Sequence, residues 1–75
     1  MTDITLTNYT RTSQAVTAGD LIQVKQGKVL VGATNNAGNG VVMTPETAPI
    51  SLSGTGTIWL EKISKEDAIV AHEAL

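Results

Sequence analysis

A chain of 75 residues with no cysteine, one histidine and a formal net charge of −2 makes a single domain with neither a disulfide nor a Cys/His zinc site to hold it. A chain this short buries only roughly 60% of the surface its unfolded form exposes. Its core is therefore marginal, and oligomerisation is the expected remedy. The acidic balance, with a pI near 5.0, argues against a general nucleic-acid binder, which carries a basic patch and stacking aromatics.

No apolar run approaches the ~20 residues of a membrane span, so no membrane association is expected. The opening residues carry no signal-peptide pattern. On that reading the Asn8-Tyr9-Thr10 sequon is a chance match.

In chain order, short segments alternate apolar and polar residues, the period of a strand with one face on a core. The Thr-rich start contains Ile4-Thr5-Leu6-Thr7. Residues 1–16 read either as a first strand or as an arm that orders on a partner, with Ile4 and Leu6 as anchors. Thr17 to Gly19 is a turn, and Asp20 to Gln26 a strand with Ile22 and Val24 on one face. Gln26-Gly27 is a two-residue hairpin signal leading into Lys28–Thr34, where Val29, Val31 and Ala33 share a face. Gly32 predicts a bulge or the close approach of another backbone.

Asn35 to Gly40 reads as a loop, and Val41 to Thr44 as a short strand. Pro45 and Pro49 bracket a turn, because proline cannot donate to a ladder. Ile50–Ser53 and Thr57–Lys62 suggest a second hairpin around Gly54-Thr55-Gly56. The ending, 64–75, reads as a short helix. Ser64 is its N-cap, Glu66 and Asp67 lie in the first turn, and Ile63 staples onto Ala68. The fold class is all-β: a compact small barrel or sandwich of about six short strands with a short C-terminal helix.

Catalysis needs a nucleophile beside a base, paired carboxylates or a metal, and no such pattern is visible. His72, on the helix-like tail, is expected to be exposed. His72→Ala is therefore expected to change stability by no more than about 0.5 kcal/mol. Asp20 reads as a turn residue whose carboxylate accepts backbone N–H bonds. Arg11 stands alone, and Lys25 and Lys28 read as solvated edge lysines. Glu61, Glu66 and Asp67 beside Lys62 and Lys65 read as a solvated charge set.

Gly54-Thr55-Gly56-Thr57 lacks the Lys and the helix of a phosphate loop, and Asn35–Gly40 lacks the acidic oxygens calcium requires. No catalytic, cofactor or metal residue is assigned, and no enzymatic activity is expected. Trp59 alternates with Ile58 and Leu60, so it points to the opposite face, either packed under the C-terminal segment or as an aromatic anchor at a subunit or capsid interface. Leu21, Leu30 and Val42 are out of phase in the same way. Apolar residues on both faces of a small sheet suggest a second buried surface.

Three stretches carry a resemblance: Thr17-Ala18-Gly19-Asp20-Leu21-Ile22, Gly27-Lys28-Val29-Leu30-Val31-Gly32-Ala33 and Gly54-Thr55-Gly56-Thr57-Ile58-Trp59-Leu60-Glu61-Lys62. In them the chain resembles the small capsid cement or head-decoration proteins of tailed bacteriophages. The resemblance implies a β-rich structural subunit with no catalysis or cofactor. It would bind the major capsid protein on the outer surface of a phage head as a dimer or trimer, after assembly in the host cytoplasm. It does not reach the Thr-rich start or the last residues.

The partner-binding candidates are thus Ile4, Leu6, Leu21, Leu30, Val42 and Trp59. A second resemblance, of Val16 to Ile22 to the start of biotinyl or lipoyl carrier domains, puts Lys28 or Lys62 forward as a modified lysine. Neither has the Met-Lys-Met or Asp-Lys-Ala surroundings of a carrier. An adaptor module within another assembly is the remaining alternative.

Overall fold

A computed structural model describes residues 2–33 and 40–74. Among the described residues it has eight strands: β1 (Thr2–Leu6), β2 (Thr12–Val16), β3 (Leu21–Gln26), β4 (Val29–Gly32), β5 (Val41–Met43), β6 (Ile50–Ser51), β7 (Gly56–Lys62) and β8 (Ala68–Glu73). They form two four-stranded sheets, ordered β1-β8-β3-β6 and β2-β7-β4-β5. Every pairing is antiparallel. The core lies between the sheets. Ile22, Val24 and Val70 of the first meet Val29, Val31, Ile58 and Leu60 of the second. Two open sheets, rather than a closed barrel, resolve the barrel-or-sandwich expectation.

The two strand orders correspond position by position. β1 matches β2, β8 matches β7, β3 matches β4, and β6 matches β5. Each matched pair is consecutive in sequence, so the molecule is a row of four arches, each crossing from one sheet to the other. This corrects both expected hairpins. β3 and β4 are not paired: β3 pairs with β8 and β6, while β4 pairs with β5 and β7. The turn around Gly54-Thr55-Gly56 likewise crosses from β6 to β7, in different sheets. The one sequence-adjacent pair that shares a sheet is β4–β5, in the register Leu30↔Val42. The expected Asn35–Gly40 loop between them lies, apart from Gly40, outside the described residues, as does Thr34.

Gly27 explains the sharp crossing. It is buried with φ +78, and a Cβ there would lie 2.8 Å from Ser64 Oγ and 3.1 Å from Ala68 Cα. The arch between β3 and β4 closes directly onto the start of β8. Gly27→Val therefore meets both a left-handed backbone and a neighbouring main chain that must shift. It should cost about 1–3 kcal/mol, lowering the Tm of a domain this size by roughly 10 °C. Thermal denaturation followed by circular dichroism checks this.

The last segment is a strand, not the expected helix. Ser64 does not cap: its hydroxyl donates to the Glu66 carbonyl at 3.0 Å, closing a turn. Ala68 and Val70 then face the core, buried, while Ile69 lies half-buried on the other side. A two-turn helix is marginal in isolation. β8 instead completes ladders to β1 and β3 at once, with Val70 opposite both Ile4 and Val24.

The N-terminal alternatives resolve the same way. β1 is a paired strand, and Leu6 is buried in the core with Ile4 packed against it. An arm that orders only on a partner is not what residues 2–6 form. The irregularity predicted at Gly32 lies elsewhere, as a bulge between Val24 and Gln26. The close approach is at Gly40, where a Cβ would meet Val31 O at 2.7 Å and Gly32 N at 3.3 Å. The proline-bracketed turn is present, with Thr47 N–H donating to Thr44 O at 2.9 Å.

Candidate functional site

The alternation of β7 decides which side chains leave the core. Ile58, Leu60 and Lys62 face in and are buried; Trp59 and Glu61 face out, half-buried. On the same outer face β4 presents Leu30, and β5 presents Val42 directly opposite it. The cross-strand rows are Ser13–Trp59–Gly32 and Glu61–Leu30–Val42. Small neighbours on both sides leave the Trp59 ring uncovered by larger side chains of its own row. The row of Leu30 runs to the open edge of the sheet, where Val41 is 66% and Val42 49% exposed.

β5 carries no charge, whereas the edge strand β1 has Asp3 joined to Lys25 at 3.1 Å, the kind of charge that discourages edge pairing. Arg11 does not stand alone: its Nη1 lies 3.9 Å from Glu61 Oε1 beside Leu30.

The six predicted contact residues do not form one surface. Leu30, Val42 and Trp59 share the outer face of β2-β7-β4-β5. Leu21 lies on the outer face of the other sheet, opposite Glu73 and Ser51. There it borders a groove of about 110 Å³ with Gln23, Pro49 and Ala71. Leu6 is in the core and Ile4 against it, so a partner reaches them only by opening the sandwich. A shallower cleft of about 240 Å³ at the β6–β7 turn is lined by Val16, Leu52, Thr55 and Ile58 among others, with no titratable side chain in its wall.

His72 requires the largest correction. It is not on an exposed helix. It lies on β8 in phase with Ala68 and Val70, and its Nε2 is 2.8 Å from Asp20 Oδ2. Asp20 is 2% exposed. The same Oδ2 accepts the Thr17 N–H at 2.9 Å, and the Asp20 N–H donates back to Thr17 O at 3.0 Å. That backbone role is the one expected of a turn aspartate.

On the far side of the ring, Gln14 Nε2 of β2 lies 3.5 Å from Nδ1, while donating to Ala15 O at 2.9 Å. With the proton on Nε2 the histidine donates to Asp20 and accepts from Gln14, and all three are satisfied. The set joins β8 of one sheet to β2 of the other through the turn before β3. The short bond is the one to Asp20; the Gln14 contact, at 3.5 Å, is long. The signal for this lay in the period-two run Ala68, Val70, His72, which a helical reading masks.

The expected solvated charge set also divides. Lys65, Glu66 and Asp67 are exposed, but Lys62 is 4% exposed. Its ammonium meets Thr7 O at 3.4 Å and sits 4.7 Å from the centroid of the Tyr9 ring. With Tyr9 58% exposed, such a cation–π contact contributes about 0.5–1 kcal/mol. It lays the β1–β2 turn against the end of β7. Lys62 is in phase with Ile58 and Leu60, the one sequence cue to its burial. A carrier lysine must swing free at a turn tip, and Lys62 does not. Lys28 is exposed in the β3–β4 turn.

No family model, curated protein or solved structure matches the chain.

Proposed function

We propose that the chain is a structural virion protein, a capsid decoration or cement subunit that binds the major capsid protein on the outer surface of a phage head and stabilises it. The supporting observation is the apolar strip of Leu30, Val42 and Trp59 on the outer face of β2-β7-β4-β5, bordered by the Arg11–Glu61 pair and running to the unguarded β5 edge. Trp is enriched among the residues that carry binding energy at interfaces, and an exposed strand edge adds backbone pairing. The sequence resemblance to cement proteins supplies the class of partner. Catalysis is not part of this reading, in which His72 serves the fold through its 2.8 Å bond to Asp20. Self-association into a dimer or trimer belongs to the same reading, since a core this small gains from a second buried surface.

Co-sedimentation with heads lacking the chain tests the proposal. Val42→Ser and Trp59→Ala together should weaken attachment by at least about 30-fold, the equivalent of a 2 kcal/mol hot spot. The Tm of the free protein should fall far less than for a core substitution. Undiminished attachment would remove this face as the contact. The alternative of an adaptor or carrier-like module predicts no attachment to heads at all, and for the carrier an added mass on Lys28 in the intact protein.

A further inference from the structure

We propose that the Lys62 ammonium beneath Tyr9 is a carboxylate-binding subsite, filled by an acidic side chain of the docking partner when the Tyr9 ring moves aside. The inference rests on the docking reading above and names the chemistry of a second contact in it. Buried charges are normally paired. Among the described residues, however, the ion pairs are Arg11–Glu61, Lys25–Asp3 and His72–Asp20, and Lys62 is in none of them. An ammonium has three N–H donors. Here one is directed at Thr7 O over a long 3.4 Å, and the Tyr9 ring face supplies attraction at 4.7 Å without a lone-pair acceptor.

The cover is itself loosely held. Tyr9 is 58% exposed, and its ring lies over the Lys62 ammonium. Thr7, Asn8 and Thr10 beside it are exposed as well. The same turn leads into Arg11, which pairs with Glu61 on the proposed docking face. Lys62 faces inward at the end of β7, so the partner's acidic side chain enters past the β1–β2 turn rather than through the outer face, and a carboxylate replacing the ring gives Lys62 the charge-assisted hydrogen bonds it lacks. A small planar monoanion suits a single cation that meets one turn carbonyl and one ring face.

The test uses the free protein and acetate as the stand-in for an Asp or Glu side chain. Carbon-detected NMR of the Lys62 ε-methylene follows the site directly while acetate replaces chloride at constant ionic strength. Tyr9→Ala should give a saturable shift at Lys62, with acetate bound at least about tenfold more tightly than by the natural chain. Tyr9→Phe should behave as the natural chain, since the ring face and not the hydroxyl forms the cover. Lys62→Met in the Tyr9→Ala background should abolish the response of neighbouring Thr7. No saturable shift in Tyr9→Ala overturns the subsite, as does phosphate binding more tightly than acetate. Because no capsid is present, that failure leaves the docking role of Trp59 untouched.

Discussion

Asp20→Ala will destabilise the domain by about 3 kcal/mol or more, the range found when one partner of a buried charged or hydrogen-bonded pair is removed. The change strips the acceptor from two donors at once, the Thr17 N–H and His72 Nε2. A buried donor left without a partner costs about 1–3 kcal/mol. A domain of this length has a total stability of only about 4–11 kcal/mol, so the variant loses a large part of it. His72→Ala will also destabilise, well beyond the ~0.5 kcal/mol of an ordinary surface change, because it leaves the Asp20 carboxylate buried without the imidazole. The two effects will not add. A double-mutant cycle by urea denaturation should return a coupling of about 1–3 kcal/mol between residues 52 positions apart in the chain. A coupling near zero would mean that the 2.8 Å contact between them contributes nothing to the fold.

Deleting residues 1–10 will unfold the protein rather than trim an appendage. β1 pairs with β8 along its whole length, from Thr2↔His72 to Leu6↔Ala68. The deletion removes buried Leu6, and a Leu→Ala change alone typically costs about 2–5 kcal/mol at such a site. It also removes the Thr7 carbonyl and Tyr9 ring that cover Lys62 and the Asp3 partner of Lys25. Together these approach the stability of the domain. Far-ultraviolet circular dichroism and dispersed amide resonances report the result. A truncated chain that stays folded with an unchanged Tm would show that β8 is held by β3 alone.

The all-β class was legible because period-two alternation and Gly-rich punctuation are local. Ile22 and Val24, Val29 and Val31, and Ile58 and Leu60 were correctly placed facing inward, which left Leu30 and Trp59 facing out. Whether neighbouring strands pair or stack was not legible. Gln26-Gly27 suits a two-residue hairpin, but an arch needs the same left-handed glycine. The choice falls to Ala68 and Ser64, distant in sequence, which pack against Gly27. In the arch, Val24 and Val29 face one another across the core instead of lying side by side.

The C-terminal segment misled for a similar reason. Ser64-Lys65-Glu66-Asp67 has the local chemistry of a helix start. Pairing with two strands on either side outweighs a helix of two turns. With the helix went the accessible His72, and the Asp20–His72 bond became visible only once β8 lay between β1 and β3. Lys62 was hidden because a lysine in an apolar phase is usually taken as solvated. Its cover, Tyr9, lies 53 residues away in the chain on a turn with no pattern of its own.

The central claim, that the chain docks on a phage head through the outer face of β2-β7-β4-β5, is tested most directly by cryo-electron microscopy of decorated heads. The account predicts density for the chain on the outer shell, with Leu30, Val42 and Trp59 buried against capsid protein or a neighbouring copy. Heads that carry no such density, or that carry the chain with this face in solvent, would contradict it.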